Sequence, residues 1–244
     1  MKGSERFCIL MTATVAPKGT AGTATYRSDP QVRLADYREG LRFWLQLKDD
    51  RIGGVVFVEN SGYPLEALRA EADSGRAGSR RCEFISCDFP PPPEGLHYGY
   101  SEFALVDHAL KESQLLRDFP YFIKATGRYK WPAVSKLIDR LPSNFLVAAD
   151  CRIQKPLSKA PNPILPVALV LFQTNFFRRE LSHLYQTMVP APPWTRKQFI
   201  EDVFYDQPKN VSSNSYGESV AGDFRPPPAP FFQIKRSRRR IFIR

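Results

Sequence analysis

Several absences narrow the reading of this chain before anything present is considered. No apolar run approaches the roughly 20 residues that a membrane-spanning helix needs; the longest extends only from Val167 to Phe172. Near the N-terminus, Phe7 to Met11 is too short for the core of a signal peptide and no cleavage site follows it. That segment reads as the first strand of a fold, and the protein as cytoplasmic. No Walker loop and no dinucleotide glycine fingerprint follow the strand. A Gly-x-Ser-x-Gly nucleophile elbow is missing as well. Ordinary nucleotide hydrolysis and covalent serine catalysis therefore lose support. Histidine is scarce: His108 and His183 read as helix residues, and His97 as a loop residue. Cys8, Cys82, Cys87 and Cys151 match no zinc spacing and no histidine pair accompanies them, so they read as small buried hydrophobes in a reducing compartment.

What is present is enough for a core. Apolar residues make up 43% of the 244 positions, which suits one large α/β domain. The charge is uneven. Arg225, Lys235, Arg236, Arg238, Arg239, Arg240 and Arg244 follow Phe224 with no acid among them, and they leave only about +3 of the net +10 for the rest. The expected organisation is a catalytic-type domain over 1–224 and a basic, proline- and arginine-rich tail over 225–244. A nucleic-acid-binding face would have spread its charge through the fold. The tail suits either a solvated terminus or attraction to an anionic membrane surface through 235–244.

Along the chain, short apolar runs alternate with helical stripes. Asp36 with Glu39 three residues later reads as a capping box before a helix carrying Tyr37, Leu41 and Trp44, stopped by Gly53-Gly54. Val55 to Val58 is a doubly buried strand, and Cys82 to Cys87 is a further strand-like run in which Cys82, Phe84 and Ser86 alternate with Glu83, Ile85 and Cys87. Phe103, Val106 and Leu110 share one face of a helix. Tyr121 to Lys124, Phe145 to Ala149 and Val167 to Gln173 are further strands. Phe177 to Met188 marks a helix, and Thr195 with Gln198 caps another. Such alternation implies a mainly parallel, doubly wound sheet flanked by helices.

In such sheets ligands bind beyond the carboxyl ends of the strands, and the polar residues of interest fall there. Thr12 follows the first strand. Glu59 and Asn60 follow the second, where they either grip a base edge and a ribose hydroxyl or only shape the turn. Lys124, Thr126, Arg128 and Tyr129 surround Gly127: the cations suit a diphosphate, the ring suits a base or sugar, and the glycine permits close backbone approach. Glu102 begins a helix, where it either complements the dipole or orients a substrate hydroxyl. Asp150 ends a strand and is a single candidate ligand for a divalent cation, Mn2+ or Mg2+. Glu201 and Asp202 lie on a late helix that could supply a base for an acceptor hydroxyl.

Val56-Phe57-Val58-Glu59-Asn60-Ser61-Gly62, Gly99-Tyr100-Ser101-Glu102 and Phe122-Ile123-Lys124-Ala125-Thr126-Gly127-Arg128-Tyr129 together resemble the Glu-Asn-Ser-Gly, Gly-x-Gly-Glu and Lys-x-Thr-Gly-Arg-Tyr elements of bacterial glycosyltransferase-like proteins found with surface-polysaccharide genes. The resemblance runs from about Phe7 to about Gly222. It implies a GT-A-type fold, a nucleotide-diphosphate-sugar donor and a glycan or lipid-linked acceptor. It also implies Glu59 and Asn60 near the nucleotide, with Lys124, Thr126, Arg128 and Tyr129 lining the donor site. The chain departs from the pattern at Ser101, where glycine is usual, and Asp150-Cys151-Arg152 replaces a paired Asp-x-Asp. The expected activity is transfer of a sugar to a hydroxyl, with Glu102 or Glu201 taking the proton and Asp150 assisting. The alternatives are an inactive scaffold of the same family and a nucleic-acid-binding protein using the tail. A nucleotidyltransferase is disfavoured by the missing glycine-rich loop and paired acids.

Overall fold

The computed structural model describes residues 6–18, 28–74, 80–149 and 168–190 in full, with the strand backbone of 152–154, 162–164, 231–236 and 241–243. Its elements are β1 (Phe7–Ala13), α1 (Pro30–Gln46), β2 (Ile52–Glu59), α2 (Glu66–Asp73), β3 (Arg81–Ser86), α3 (Gly99–Glu112), β4 (Tyr121–Thr126), α4 (Val134–Ile138), β5 (Val147–Ala149), β6 (Arg152–Gln154), β7 (Asn162–Ile164), β8 (Leu169–Gln173), β9 (Phe231–Arg236) and β10 (Ile241–Ile243). The sheet runs β10-β9-β5-β8-β4-β1-β2-β3, and β6 pairs separately with β7. β1 is parallel to both β2 and β4, and β2 is parallel to β3. β8 runs antiparallel between β4 and β5. The fold is therefore the expected layered α/β arrangement, with one reversed strand inside a mainly parallel sheet. β9 and β10 fall within the basic segment 225–244, and β9 extends the sheet beyond β5.

Strand alternation sorts the core into two layers. Phe7, Ile9, Met11 and Ala13 of β1, with Tyr121, Ile123 and Ala125 of β4, pack under Tyr37, Leu41 and Trp44 of α1. Cys8 and Leu10, with Val56, Val58 and Phe122, pack under Phe103, Val106 and Leu110 of α3. The helices joining β1, β2 and β3 thus cover one face, while α3, which returns the chain across β2 and β1 to β4, covers the other. The strand order reverses between β1 and β4, which makes their carboxyl ends the switch point of the sheet.

Four local expectations change. Helix α1 starts at Pro30, because Asp29 caps it by accepting from Gln31 N at 2.7 Å and proline suits the first turn; Asp36 and Glu39 lie inside it. Gly53-Gly54 do not stop that helix but sit in β2. A Cβ at Gly54 would lie 2.9 Å from Leu115, so glycine there admits the turn of 3₁₀ helix at Leu115–Asp118. The expected helix from Phe177 to Met188 is a π turn (Phe177–Leu181) and a 3₁₀ turn (Leu184–Thr187), separated by Ser182 and His183. His183 adopts φ 63°, so it lies in a left-handed turn and not in a helix. The capped helix expected around Thr195 and Gln198 lies outside the described residues. No helix among the described residues is long and apolar enough to cross a membrane.

Candidate active site

Register fixes what meets at the switch point. Thr12 pairs with Thr126, and Leu10 with Lys124; Ala13 pairs with Glu59. The row Phe122, Lys124, Thr126 on β4 and the row Cys8, Leu10, Thr12 on β1 both face α3. These rows begin apolar and turn polar toward the carboxyl ends. What makes that possible is Glu102, in the first turn of α3, where a carboxylate also suits the helix dipole.

Glu102 Oε1 collects three donors. Lys124 Nζ donates at 2.5 Å, Thr12 Oγ1 at 2.9 Å and Thr126 Oγ1 at 3.0 Å. Lys124 has 0% side-chain exposure and its ammonium lies 5.6 Å from the Phe103 ring centroid. A lysine buried in a core row needs a partner of this kind, since an unpaired buried charge is costly. Burial works against ionisation of Glu102, but the charge of Lys124 and the donors from Lys124, Thr12 and Thr126 prevail and hold the carboxyl below its usual range. Among the described residues nothing donates to Glu102 Oε2, and the side chain keeps 15% exposure, which leaves that oxygen for a ligand.

Glu59 has a different environment. It is wholly buried. Its Oε1 accepts from Val15 N at 2.9 Å, Ser61 N at 3.0 Å and the Ser61 hydroxyl. Its Oε2 accepts from Ser61 N at 3.0 Å and Tyr63 N at 3.1 Å. One carboxylate thus ties the loop after β1 to the loop after β2. Asn60 continues the tie: its N–H donates to Ala13 O at 3.2 Å, and its Oδ1 accepts from Thr14 Oγ1 at 2.7 Å. Asn60 Nδ2 has no acceptor among the described residues, and the residue is 8% exposed.

The loop after β1 has a second clamp that the motifs did not reveal. Arg33 Nε donates to Thr14 O at 2.6 Å, and Arg33 Nη2 to Tyr37 Oη at 3.1 Å. Tyr37 Oη in turn accepts from Thr14 N at 3.0 Å. Both side chains come from α1 one turn apart, so the sequence signal was an Arg–Tyr pair at i, i+4.

The turn after β4 leaves the sheet beside this clamp. Gly127 N donates to Thr12 O at 2.9 Å. A Cβ at Gly127 would lie 2.9 Å from Thr12 O and 3.1 Å from the Tyr37 ring, and one at Gly40 would lie 2.2 Å from Gly127 O. Gly127 is thus required by packing against β1 and α1. Arg128 is half-buried and lies 5.3 Å from the exposed Tyr129 ring centroid. The two turns singled out from sequence, 59–60 and 124–129, therefore flank the end of β1 on the same edge of the sheet.

Among the described residues, no group of three or more His, Cys, Asp or Glu side chains could hold a metal ion. Glu102 offers a single carboxylate whose Oε1 already meets an ammonium, so a divalent cation there would have only Oε2 from this side chain and would draw its other ligands from water or substrate phosphates. The expected ligand Asp150, and the expected base residues Glu201 and Asp202, lie outside the described residues.

No protein-family model matches the chain, and no curated protein matches it. Solved structures do resemble its path. A 4-diphosphocytidyl-2C-methyl-D-erythritol synthase from Anaerococcus prevotii aligns with a TM-score of 0.49 and 9% identity over 84% of each chain. Mouse xyloside xylosyltransferase 1 aligns at 0.44 and 13% identity, over 84% of this chain and 83% of the other. Core-mannan synthase A from Aspergillus fumigatus, in its Mn/GDP form, aligns at 0.43 and 8% identity, over 74% of this chain and 63% of the other.

Proposed function

We propose that the chain is a GT-A-type glycosyltransferase that moves a sugar from a nucleotide-diphosphate donor to a hydroxyl of a surface glycan or lipid-linked acceptor. One observation carries the proposal: a charged, hydrogen-bonded cluster of Thr12, Glu102, Lys124 and Thr126 at the carboxyl edge of the strand-order reversal, where open α/β sheets bind their ligands.

The roles follow from exposure. Arg128 can reach solvent, and its guanidinium would hold the diphosphate and offset its charge as the sugar–phosphate bond breaks. The Tyr129 ring would carry the base or sugar. Asn60 Nδ2 would donate to a base edge or a ribose hydroxyl. Lys124 acts from beneath: by balancing Glu102 it lets a dianionic donor approach a carboxylate. Glu102, held ionised, is a weak proton acceptor near neutral pH; its open Oε2 would instead accept from a donor-sugar hydroxyl. Deprotonation of the acceptor is assigned to Glu201. In the forward step the acceptor oxygen bonds to the anomeric carbon, its proton passes to the base, and the nucleoside diphosphate departs with the bonding pair. Residues 1–224, with β9 extending their sheet beyond β5, would form this catalytic unit, and the cations of 235–244 would draw it to an anionic membrane face.

The experiment is calorimetric titration of the full chain with UDP-, GDP-, CMP- and dTDP-sugars, with and without Mn2+, followed by assay of nucleotide release. Saturable binding of a UDP-, GDP- or dTDP-sugar, weakened by Arg128→Ala, supports the reading; binding of the CMP-sugar alone, which carries one phosphate, contradicts a diphosphate donor. Binding of none contradicts it. Turnover of a nucleoside triphosphate and a sugar phosphate would move the assignment to nucleotidyl transfer.

A further inference from the structure

The proposed donor residues depend on the α1 face of the sheet: the turn after β4 packs on Gly40 and Tyr37, and Thr14, whose hydroxyl donates to Asn60 Oδ1, is clamped by Arg33. α3 covers the opposite face, and Glu102 lies at the boundary between them. The segment leading into α3 has a feature that this assignment leaves unused. Tyr98 is 61% exposed, more than the other exposed large hydrophobic residues among those described, Val32, Tyr129 and Val189. Its ring lies 3.7 Å, centroid to centroid, from the half-buried imidazole of His97.

This pair is held in place. His97 Nδ1 accepts from Gly99 N at 3.3 Å, and His97 O accepts from Tyr100 N at 2.9 Å. Tyr98 O accepts from Glu102 N at 3.1 Å, so the ring stands one helical turn before the carboxylate of the site. The loop is braced from outside as well: Gly95 adopts φ +79°, and a Cβ there would lie 3.1 Å from Pro190. An exposed tyrosine is ordinary on a mobile loop. On a braced turn, beside an imidazole and next to a polar cluster, it is a preformed surface.

We infer that Tyr98 and His97 form the acceptor-sugar subsite, with the pyranose C–H face on the Tyr98 ring and a rim hydroxyl on the His97 imidazole. A pyranose has an apolar face ringed by hydroxyls, and tyrosine presents an apolar body with a polar tip, so the two match in kind. Burial lowers the His97 pKa, with Glu102 opposing the shift; because Nδ1 accepts from Gly99 N, the neutral imidazole carries its proton on Nε2 and would donate to the hydroxyl. The acceptor then enters from the α3 face and the donor from the α1 face, with Glu102 between them. The subsite rests on the transferase reading for its role but not for its existence.

The test separates the two. Saturation-transfer NMR of the full chain with octyl β-glucoside, octyl β-galactoside and octyl α-mannoside, without nucleotide, reads the subsite alone. The donor is read separately by calorimetry. At least one glycoside should show transfer to its ring protons. Tyr98→Ala should weaken that binding by roughly three- to tenfold, the range for an aromatic contact, while Tyr98→Phe keeps it and donor affinity stays within twofold. His97→Gln should weaken glycoside binding but not donor binding. Glycoside binding without any donor binding would keep the subsite and remove the transferase reading. Absence of transfer from all three glycosides, unchanged binding in Tyr98→Ala, or a loss in that variant confined to the nucleotide would overturn the subsite.

Discussion

Replacing Lys124 with methionine keeps the length of the side chain and removes its charge, which isolates the ion pair at the centre of the site. In the native chain the ammonium has 0% exposure and meets Glu102 Oε1 at 2.5 Å. Loss of one partner from a buried pair costs about 3–5 kcal/mol. Thr12 and Thr126 still donate to the same oxygen, so the lower end is expected: about 3 kcal/mol, or roughly 6–12 °C in a domain of this size. Urea denaturation at pH 7 measures it. The folded pKa of Glu102 is depressed below 4.5. Its contribution is therefore complete above pH 4.5 and is lost as pH falls through the lower folded value. In Lys124→Met burial is no longer opposed by a neighbouring charge, the carboxyl moves upward, and acid relieves the variant by protonating it. The stability gap between the two proteins should close as pH is lowered from 7 toward 4. Adding Glu102→Gln should recover most of the loss at pH 7, because the amide carries no charge to strand. A deficit below about 1 kcal/mol, or no recovery in the double variant, would refute the buried-pair reasoning.

Other consequences are simpler to state. Gly40→Ala would place a Cβ 2.2 Å from Gly127 O, and overpacking of this kind costs about 1–3 kcal/mol; denaturation midpoints check it. Arg128→Ala should leave the melting temperature within about 2 °C, since surface changes are usually within ±0.5 kcal/mol, yet weaken nucleotide-sugar binding about tenfold or more by calorimetry. Burial pushes the Cys82 thiol up to about 12 and the Cys87 thiol up to about 11, so in the folded protein at pH 8 both should alkylate with iodoacetamide far more slowly than a free cysteine, as read by mass spectrometry of the modified peptides.

How legible the molecule was depended on which physical signal each residue sends. β1, β2 and β4 could be read because strands buried on both faces leave continuous apolar runs, and the polar residues closing those runs mark the working edge of the sheet. The start of α1 was misplaced because Asp29-Pro30 and Asp36 with Glu39 are both sound helix starts; the true one is chosen by Arg33 and Tyr37, which must reach Thr14 from inside the helix. Gly53-Gly54 resembled a helix stop, and only the approach of Leu115 explains Gly54 as a strand residue. The reversal of β8 leaves no mark in an apolar run. The two glutamates show the limit most clearly. Both follow from motifs, but local sequence does not tell that Glu59 takes donors on both oxygens while Glu102 takes three on one and leaves the other open. Glu59 takes Ser61 and Tyr63 from its own turn and only Val15 from afar, whereas all three donors to Glu102 come from the distant strands β1 and β4.

The most direct test of the central claim uses threonine methyls as reporters. Thr12 and Thr126 sit at the carboxyl edge of β1 and β4, whereas Thr174 lies by the opposite edge, its N–H donating to Pro120 O just before β4 begins. With γ-methyl-labelled threonine and the nucleotide sugar that calorimetry selects, the Thr12 and Thr126 resonances should shift in a saturable way while Thr174 stays fixed. Unmoved Thr12 and Thr126 signals, or a shift confined to Thr174, would place the ligand elsewhere and contradict the account.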